Sequence, residues 1–448
     1  MSSISDSEKQ TFLDVLEKMR ALDPSDDEYA ELERAVAHVV KTARKKRQAE
    51  RRRARRDADL ELDRKTSTFE QPVSPSTNTQ SAIGRRHSGR CCYVCKDTFF
   101  DVDSHYHQLC PSCADRNRAE RLRSVDLSGH RALVTGGRIK IGFHVALRLL
   151  RAGADVVVTT RFPVDAQHRF AVVEDAPAWM DRLHVIAADF LRPNDVEGLV
   201  EAVDKHWDHF DILVNNAAQT IARPPEYYRA VEEGEKRAAP ELAAPILSRP
   251  NESLLKTPEI DAPSDLDLVD YFTPGVVDET GEQIDLRPTN SWELRLHEVE
   301  PSEWISSHVV TAFVPWYLLK SFRPHLLASP QPRRFVVNVS AMEGSFSMSG
   351  KTSRHPHTNA AKAAMNMLTR TAGPEYTNDK IYMTSVDTGW VTDERAHPNK
   401  MAQSAAGFRP PLDVIDGAAR VTAPIFGGVD IDDPLAGVFI KDYEVAPW

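Results

Sequence analysis

The residues whose types and spacing most plainly could do chemistry are four cysteines. Cys92 and Cys95 form one C-x2-C pair, and Cys110 and Cys113 form a second. Two such knuckles can bring four thiolates onto one tetrahedral zinc ion, at about 2.3 Å from each sulfur. Four protein ligands leave no position for water, so the expected Zn²⁺ is structural. Cys91 is read as a spectator thiol, with Cys91, His105 and His107 as substitute ligands. A piece this short cannot bury a core of its own, so the metal would supply its folding energy.

The next candidate is "VTGGRIKIG" (134–142), where an apolar run gives way to an amphipathic one. Glycines at a strand-to-helix turn let the backbone approach a pyrophosphate, which the helix N-terminus faces. The elements around it alternate. Apolar strands are expected at 131–137, 155–161, 183–189, 211–218, 334–340, 380–389 and 436–442, with helical periodicity between them, first at 142–154. That alternation predicts an α/β fold, a Rossmann-type doubly wound parallel sheet covered on both faces.

Across roughly residues 127–448 these motifs resemble the short-chain dehydrogenase/reductase family. Its TGxxxGxG turn is matched by Thr135, Gly136 and Gly142, with Lys140 at the middle glycine and expected to face water. "NNAA" (215–218) resembles the family's NNAG. The resemblance implies a dinucleotide held by Thr135, Gly136, Arg138, Ile141, Gly142, Arg161, Asp189, Asn215, Ala217, Lys362 and Gly389. Asp189 would take the adenine amine, and Lys362 the nicotinamide ribose. Gly389, in "DTGW" (387–390), would belong to the loop covering the nicotinamide. The second strand ends "VTTRF", with no acid for a ribose hydroxyl. Arg161 at its tip and Arg138 in the turn suit a 2′-phosphate, so NADP(H) is expected ahead of NAD.

The catalytic positions of the family are mostly replaced. "NAAKAAMNMLTR" (359–370) matches its active-site helix, with Lys362 at the lysine, but Thr358 stands where tyrosine belongs. Ala341 takes the serine position, after Ser340, and Val309 the asparagine position. Threonine has no ionisation near neutrality, whereas a tuned acid contributes about 10²–10⁴-fold, and an oxyanion donor a further ~10²–10³. His355 and His357 precede Thr358. They are the nearest replacement acids, against the plainer reading of helix-capping or solvent-facing imidazoles. Tyr227, Tyr228, Tyr271 and His297 are further candidates.

The last four lie in or beside an insertion of about 221–303, rich in proline and acid. Its "YYRAVEEGEKRAA" reads as a helix and "NSWELRLHEVE" as a strand. The N-terminal region, 1–63, reads as helical, followed by a disordered linker over 64–90, the zinc module over 91–123 and the Rossmann domain over 124–448. Residues 41–56 hold ten Lys/Arg and one Glu in a chain of net charge −10. That block suits a nuclear-import signal or a nucleic-acid contact, or a solvated helix face. With no apolar run of membrane-spanning length and no secretory leader, a cytoplasmic or nuclear location is expected.

Two functions compete. One is an NADP(H)-dependent oxidoreductase acting on an unknown carbonyl or alcohol with a substituted proton donor. The other is a non-catalytic dinucleotide-binding scaffold or sensor whose zinc module and insertion bind macromolecular partners. Homo-oligomerisation is compatible with both.

Overall fold

Two sheets organise the protein in the computed structural model, which describes residues 4–70, 82–237, 268–278 and 280–448. The smaller pairs β1 (Gly84–Cys91) with β2 (Thr98–Val102), antiparallel. The larger contains β3 (Arg131–Thr135), β4 (Asp155–Thr160), β5 (Leu183–Ala187), β6 (Ile212–Asn215), β7 (Arg334–Ser340), β8 (Ile381–Asp387), β9 (Val438–Lys441) and β10 (Glu444–Ala446). Their order is β10–β9–β8–β7–β6–β3–β4–β5. All pairs are parallel except β10 with β9. The chain reverses direction across the sheet between β3 and β6, the switch point where doubly wound sheets bind ligands.

These strands read as near-continuous apolar runs because both faces are covered. Along β3, Ala132 and Val134 join one core with the helices Lys140–Arg151 and Val414–Gly428. Leu133, between them, faces the other core with Pro193–His206 and Val314–Ala328.

The basic block lies within one 37-residue helix, Asp27–Asp63, and its charged side chains are exposed. The C-terminal end of that helix docks on β1. Asp59 accepts the N–H groups of His87 and Ser88 at 2.7 and 3.1 Å, and Asp63 pairs with Arg86 and Arg90. Residues 84–90, expected in a linker, are therefore part of a strand. "GRRHSGRC" lacks apolar alternation, and it is polar side-chain contacts that hold it as a strand. Residues 71–81 of the expected linker lie outside the described residues.

Within the insertion, Pro225–Arg237 is helical as expected. Residues 291–298 are not a strand. They form two 3-10 turns, Ser291–Glu293 and Leu296–Glu298, the first capped by Asn290 Oδ1 accepting the Trp292 N–H at 3.1 Å. No helix among the described residues is long and apolar enough to cross a membrane.

Candidate functional site

The four cysteines converge as the spacing requires, with their sulfurs all within 4.8 Å of one another. Cys95 and Cys110 Sγ are 3.7 Å apart. Tetrahedral zinc with ~2.3 Å bonds needs sulfur–sulfur edges of about 3.8 Å, so the donor set fits the ion. Cys91 stays outside the cluster and turns its thiol to the Lys96 carbonyl at 3.1 Å. His105 and His107 are also outside it. His107 Nδ1 lies 3.1 Å from the Thr68 hydroxyl, and burial lowers both imidazoles, to about 4 for His105 and about 3 for His107.

The module is not free-standing. Cys92, Phe99, Tyr106, Leu109, Cys110 and Ala114 share one apolar cluster with Leu412 of the Rossmann domain, and Val391 packs on it. Tyr93 Oη accepts the Trp390 N–H at 2.8 Å. The four-cysteine module thereby holds the "DTGW" loop, an arrangement no local sequence signal announces.

At the glycine turn, Thr135 Oγ1 accepts the N–H groups of Asn216 and Ala217 at 2.9 and 3.0 Å, tying the turn to the end of β6. Gly136 has φ +67°, and a Cβ on Gly142 would lie 2.2 Å from the Gly136 carbonyl oxygen. Both positions demand glycine. Lys140 also has a left-handed backbone, φ 51°, a conformation that favours glycine and costs another residue about 1–3 kcal/mol. Ile141 packs from this turn against the core and Gly417.

Lys140 does not face water. Its ammonium is 2.7 Å from Glu282 of the insertion. Burial alone would lower its pKa, but the Glu282 and Glu394 carboxylates outweigh that and raise it. Arg138 is 2.7 Å from Asp165 and 3.6 Å from Glu282. Arg161 stacks over the Tyr228 ring at 4.3 Å. A cavity of about 400 Å³ opens among Arg138, Asp165, Tyr228, Glu235 and Glu282. Asp189 caps its own turn, accepting the Leu191 N–H at 3.0 Å.

At the far end of the switch point, Asn215 donates to Asn338 at 2.8 Å, and Ser340 donates to Asn366 at 2.6 Å. Helix Pro356–Asn378 brings Lys362 beneath β7, where its ammonium donates to the Val339 carbonyl at 2.6 Å. Burial lowers Lys362 to about 8. Thr358, one turn earlier, is buried with its hydroxyl lacking a partner among the described residues. Val309 opens a π-turn, Val309–Phe313, where Pro315 cannot donate to the Thr311 carbonyl.

His355 and His357 are not solvent-facing. His355 stacks on Trp292 at 4.0 Å and contacts the Trp292 carbonyl, with no capping bond to the helix. His357 is 0% exposed, and its Nε2 lies 3.6 Å from Glu303. Burial lowers its pKa, and Glu303 partly opposes that. Tyr227 and Tyr228 sit at the glycine-turn end with Arg223 and Arg161, Tyr271 is half-buried and His297 is exposed. Glu282, Glu303 and Glu394 carry no motif, so sequence reasoning missed them.

A family profile described as short chain dehydrogenase matches residues 130–233. The uncharacterised protein R665 of Acanthamoeba polyphaga mimivirus is 31% identical over 357 residues, covering 76% of this chain and 72% of that protein. Hydroxynaphthalene reductase arp2 of Aspergillus fumigatus is 36% identical over 102 residues, 23% of this chain and only 37% of that enzyme. Among solved structures, NADPH-bound carbonyl reductase from chicken fatty liver aligns with a TM-score of 0.45 and 16% identity, over 72% of this chain and 100% of that chain. A short chain dehydrogenase from Burkholderia cenocepacia in complex with NADP gives 0.45 and 20%, over 70% and 96%.

Proposed function

Since the chain belongs to the short-chain dehydrogenase/reductase family, we propose that it binds NADP(H) and acts as an oxidoreductase on a carbonyl or alcohol, with a proton donor other than tyrosine. The observation that carries this reading is the pairing, at one switch point, of a Cβ-free glycine turn with a buried lysine beneath β7. The residues suit the group. Asn215 Oδ1 and Thr358 Oγ1 are buried polar atoms without partners among the described residues. When bound, the dinucleotide supplies the hydride. Thr135, Gly136, Ile141, Gly142, Asn215 and Ala217 would hold its backbone-facing side, Asp189 the adenine and Arg138 and Arg161 the 2′-phosphate. Lys362 would meet the nicotinamide ribose and Gly389 the covering loop. We place the protein in the cytosol or nucleus.

The chain must deliver the proton itself. Thr358 orients but cannot ionise near neutrality, so His357 is the candidate donor, backed by Glu303 at 3.6 Å. Deuterated NADPH with a carbonyl panel should give stereospecific deuterium transfer. His357→Gln should cut turnover by about 10²–10⁴-fold, while Thr358→Val, which removes an orienting hydroxyl but no transferable proton, should cut it much less. Because burial keeps His357 neutral at pH 7, carbonyl reduction should quicken as pH falls, a slope absent from His357→Gln. Equal pH profiles would remove His357 from the role.

Lys362 supplies another check. Burial lowers its pKa to about 8, so NADPH affinity should decline as pH rises past that value, and Lys362→Met should flatten the decline. Titration of NADPH fluorescence across pH 6–10 reads both.

A second reading is favoured by the cations of the turn, Arg138 and Lys140, being already paired with carboxylates. In it the dinucleotide fold is a non-catalytic scaffold, and the zinc module, insertion and exposed basic helix contact macromolecules. Dinucleotide binding without deuterium transfer to any substrate would favour it.

A further inference from the structure

The cations at the glycine turn are answered by carboxylates from elsewhere in the chain. Glu282 is 2.7 Å from Lys140 and 3.6 Å from Arg138. Burial would raise its pKa, but Lys140 and Arg138 hold it below the ordinary glutamate value, so it is an anion. Glu235 accepts the N–H groups of Val164 and Asp165 at 3.0 and 2.8 Å, in the first turn of the helix Pro163–Ala171 that follows β4. Both glutamates belong to the insertion. Backbone amides at a helix N-terminus and side-chain cations are the groups that bind a phosphate. Here they bind the protein's own acids.

We infer that Glu282 is an internal occupant of the phosphate position of the dinucleotide site, setting cofactor affinity by competing for Lys140 and Arg138. The inference rests on the proposed dinucleotide binding. A phosphate and the Glu282 carboxylate carry the same sign and seek the same two cations, so one displaces the other. The segment bearing Glu282 is built to leave. Asp278 Oδ1 accepts the N–H groups of Thr280 and Glu282 at 2.8 and 3.0 Å, so the turn holds its own shape. Its contact with the body is polar, through Arg169 donating to the Thr280 and Gly281 carbonyls. Val276 and Val277 are 43% and 52% exposed, so moving the segment surrenders little apolar burial. Gly275 and Gly281, at φ +81° and +76°, lie on its N-terminal side with backbone that other residues resist.

The test uses the full-length, zinc-loaded protein and NADPH. Glu282→Gln removes the competing charge and leaves Lys140 facing Glu394, so the Kd should fall about tenfold, since like charges at one site oppose binding by more than that. In wild-type protein, NADPH should accelerate carbodiimide labelling of the Glu282 carboxylate, which leaves Lys140 and Arg138, where a ligand that merely covers the segment would slow it. That second measurement decides should the variant fail to fold. Unchanged or weaker NADPH affinity in Glu282→Gln, or unchanged or slowed labelling in the wild type, overturns the inference and leaves dinucleotide binding standing. No NADPH uptake by either form removes the dinucleotide reading and the inference with it.

Discussion

Replacing Cys110 by serine should abolish uptake of one zinc ion per chain and unfold the β1–β2 module, while the eight-stranded sheet keeps its secondary structure. Structural zinc at four thiolates contributes about 10–16 kcal/mol of apparent binding free energy. Little else can substitute for it, because the module's apolar cluster is small and borrows Leu412 to close. The loss should spread. With the module unfolded, Tyr93 no longer accepts the Trp390 N–H, and the loop after β8 loses its tether. Metal analysis gives the stoichiometry, and hydrogen exchange at Trp390 reports the loop. A serine variant that retains full zinc content would sink the assignment. Unchanged exchange at Trp390 after zinc removal would refute the tether.

The second large effect is expected at Arg121. Its guanidinium lies 2.6 Å from Asp413 and 2.9 Å from Asp416, all three side chains being buried between the four-cysteine module and the helix Val414–Gly428. Tyr106 donates to Asp416 at 2.7 Å, and Asp413 caps that helix. Arg121→Ala strands two buried carboxylates and should lower unfolding free energy by about 3–5 kcal/mol. Burial and the neighbouring Asp416 raise Asp413 to about 6 even with Arg121 present. Without the arginine both acids should protonate more readily. An acid with a raised folded-state pKa is destabilising above that pKa and relieved below it, so the deficit should shrink from pH 8 to pH 5. Urea midpoints of both proteins across that range measure it. A deficit below 1 kcal/mol at pH 8 would show that Arg121 is not what holds the two units together.

Side-chain direction was the weak point of sequence reading. His357 and Thr358 are adjacent, and a sequence says only that helical neighbours diverge. Their burial, and Glu303 beside His357, follow from the packing of helix Pro301–His308 on Pro356–Asn378. Lys140 was expected in water because nothing near it in sequence is acidic enough to capture it. Its partner arrives from the insertion. The 291–298 stretch alternates as a strand would, yet Asn290 caps it as a 3-10 turn, and among the described residues its β pairing is the single bridge from Arg295 to Arg354.

By itself the sequence determined the parallel sheet, the glycine turn at its switch point and the four-sulfur cluster. Each depends on contacts short in the chain or on an apolar run long enough to demand burial on both faces. Only the tertiary structure decided that β1 is a strand, that the four-cysteine module grips the loop after β8 and that Glu282 sits on the cations of the glycine turn. Those outcomes depend on charged and polar groups meeting across long chain separations. A charge is equally content in water or beside its opposite, so its identity alone cannot say which it will find.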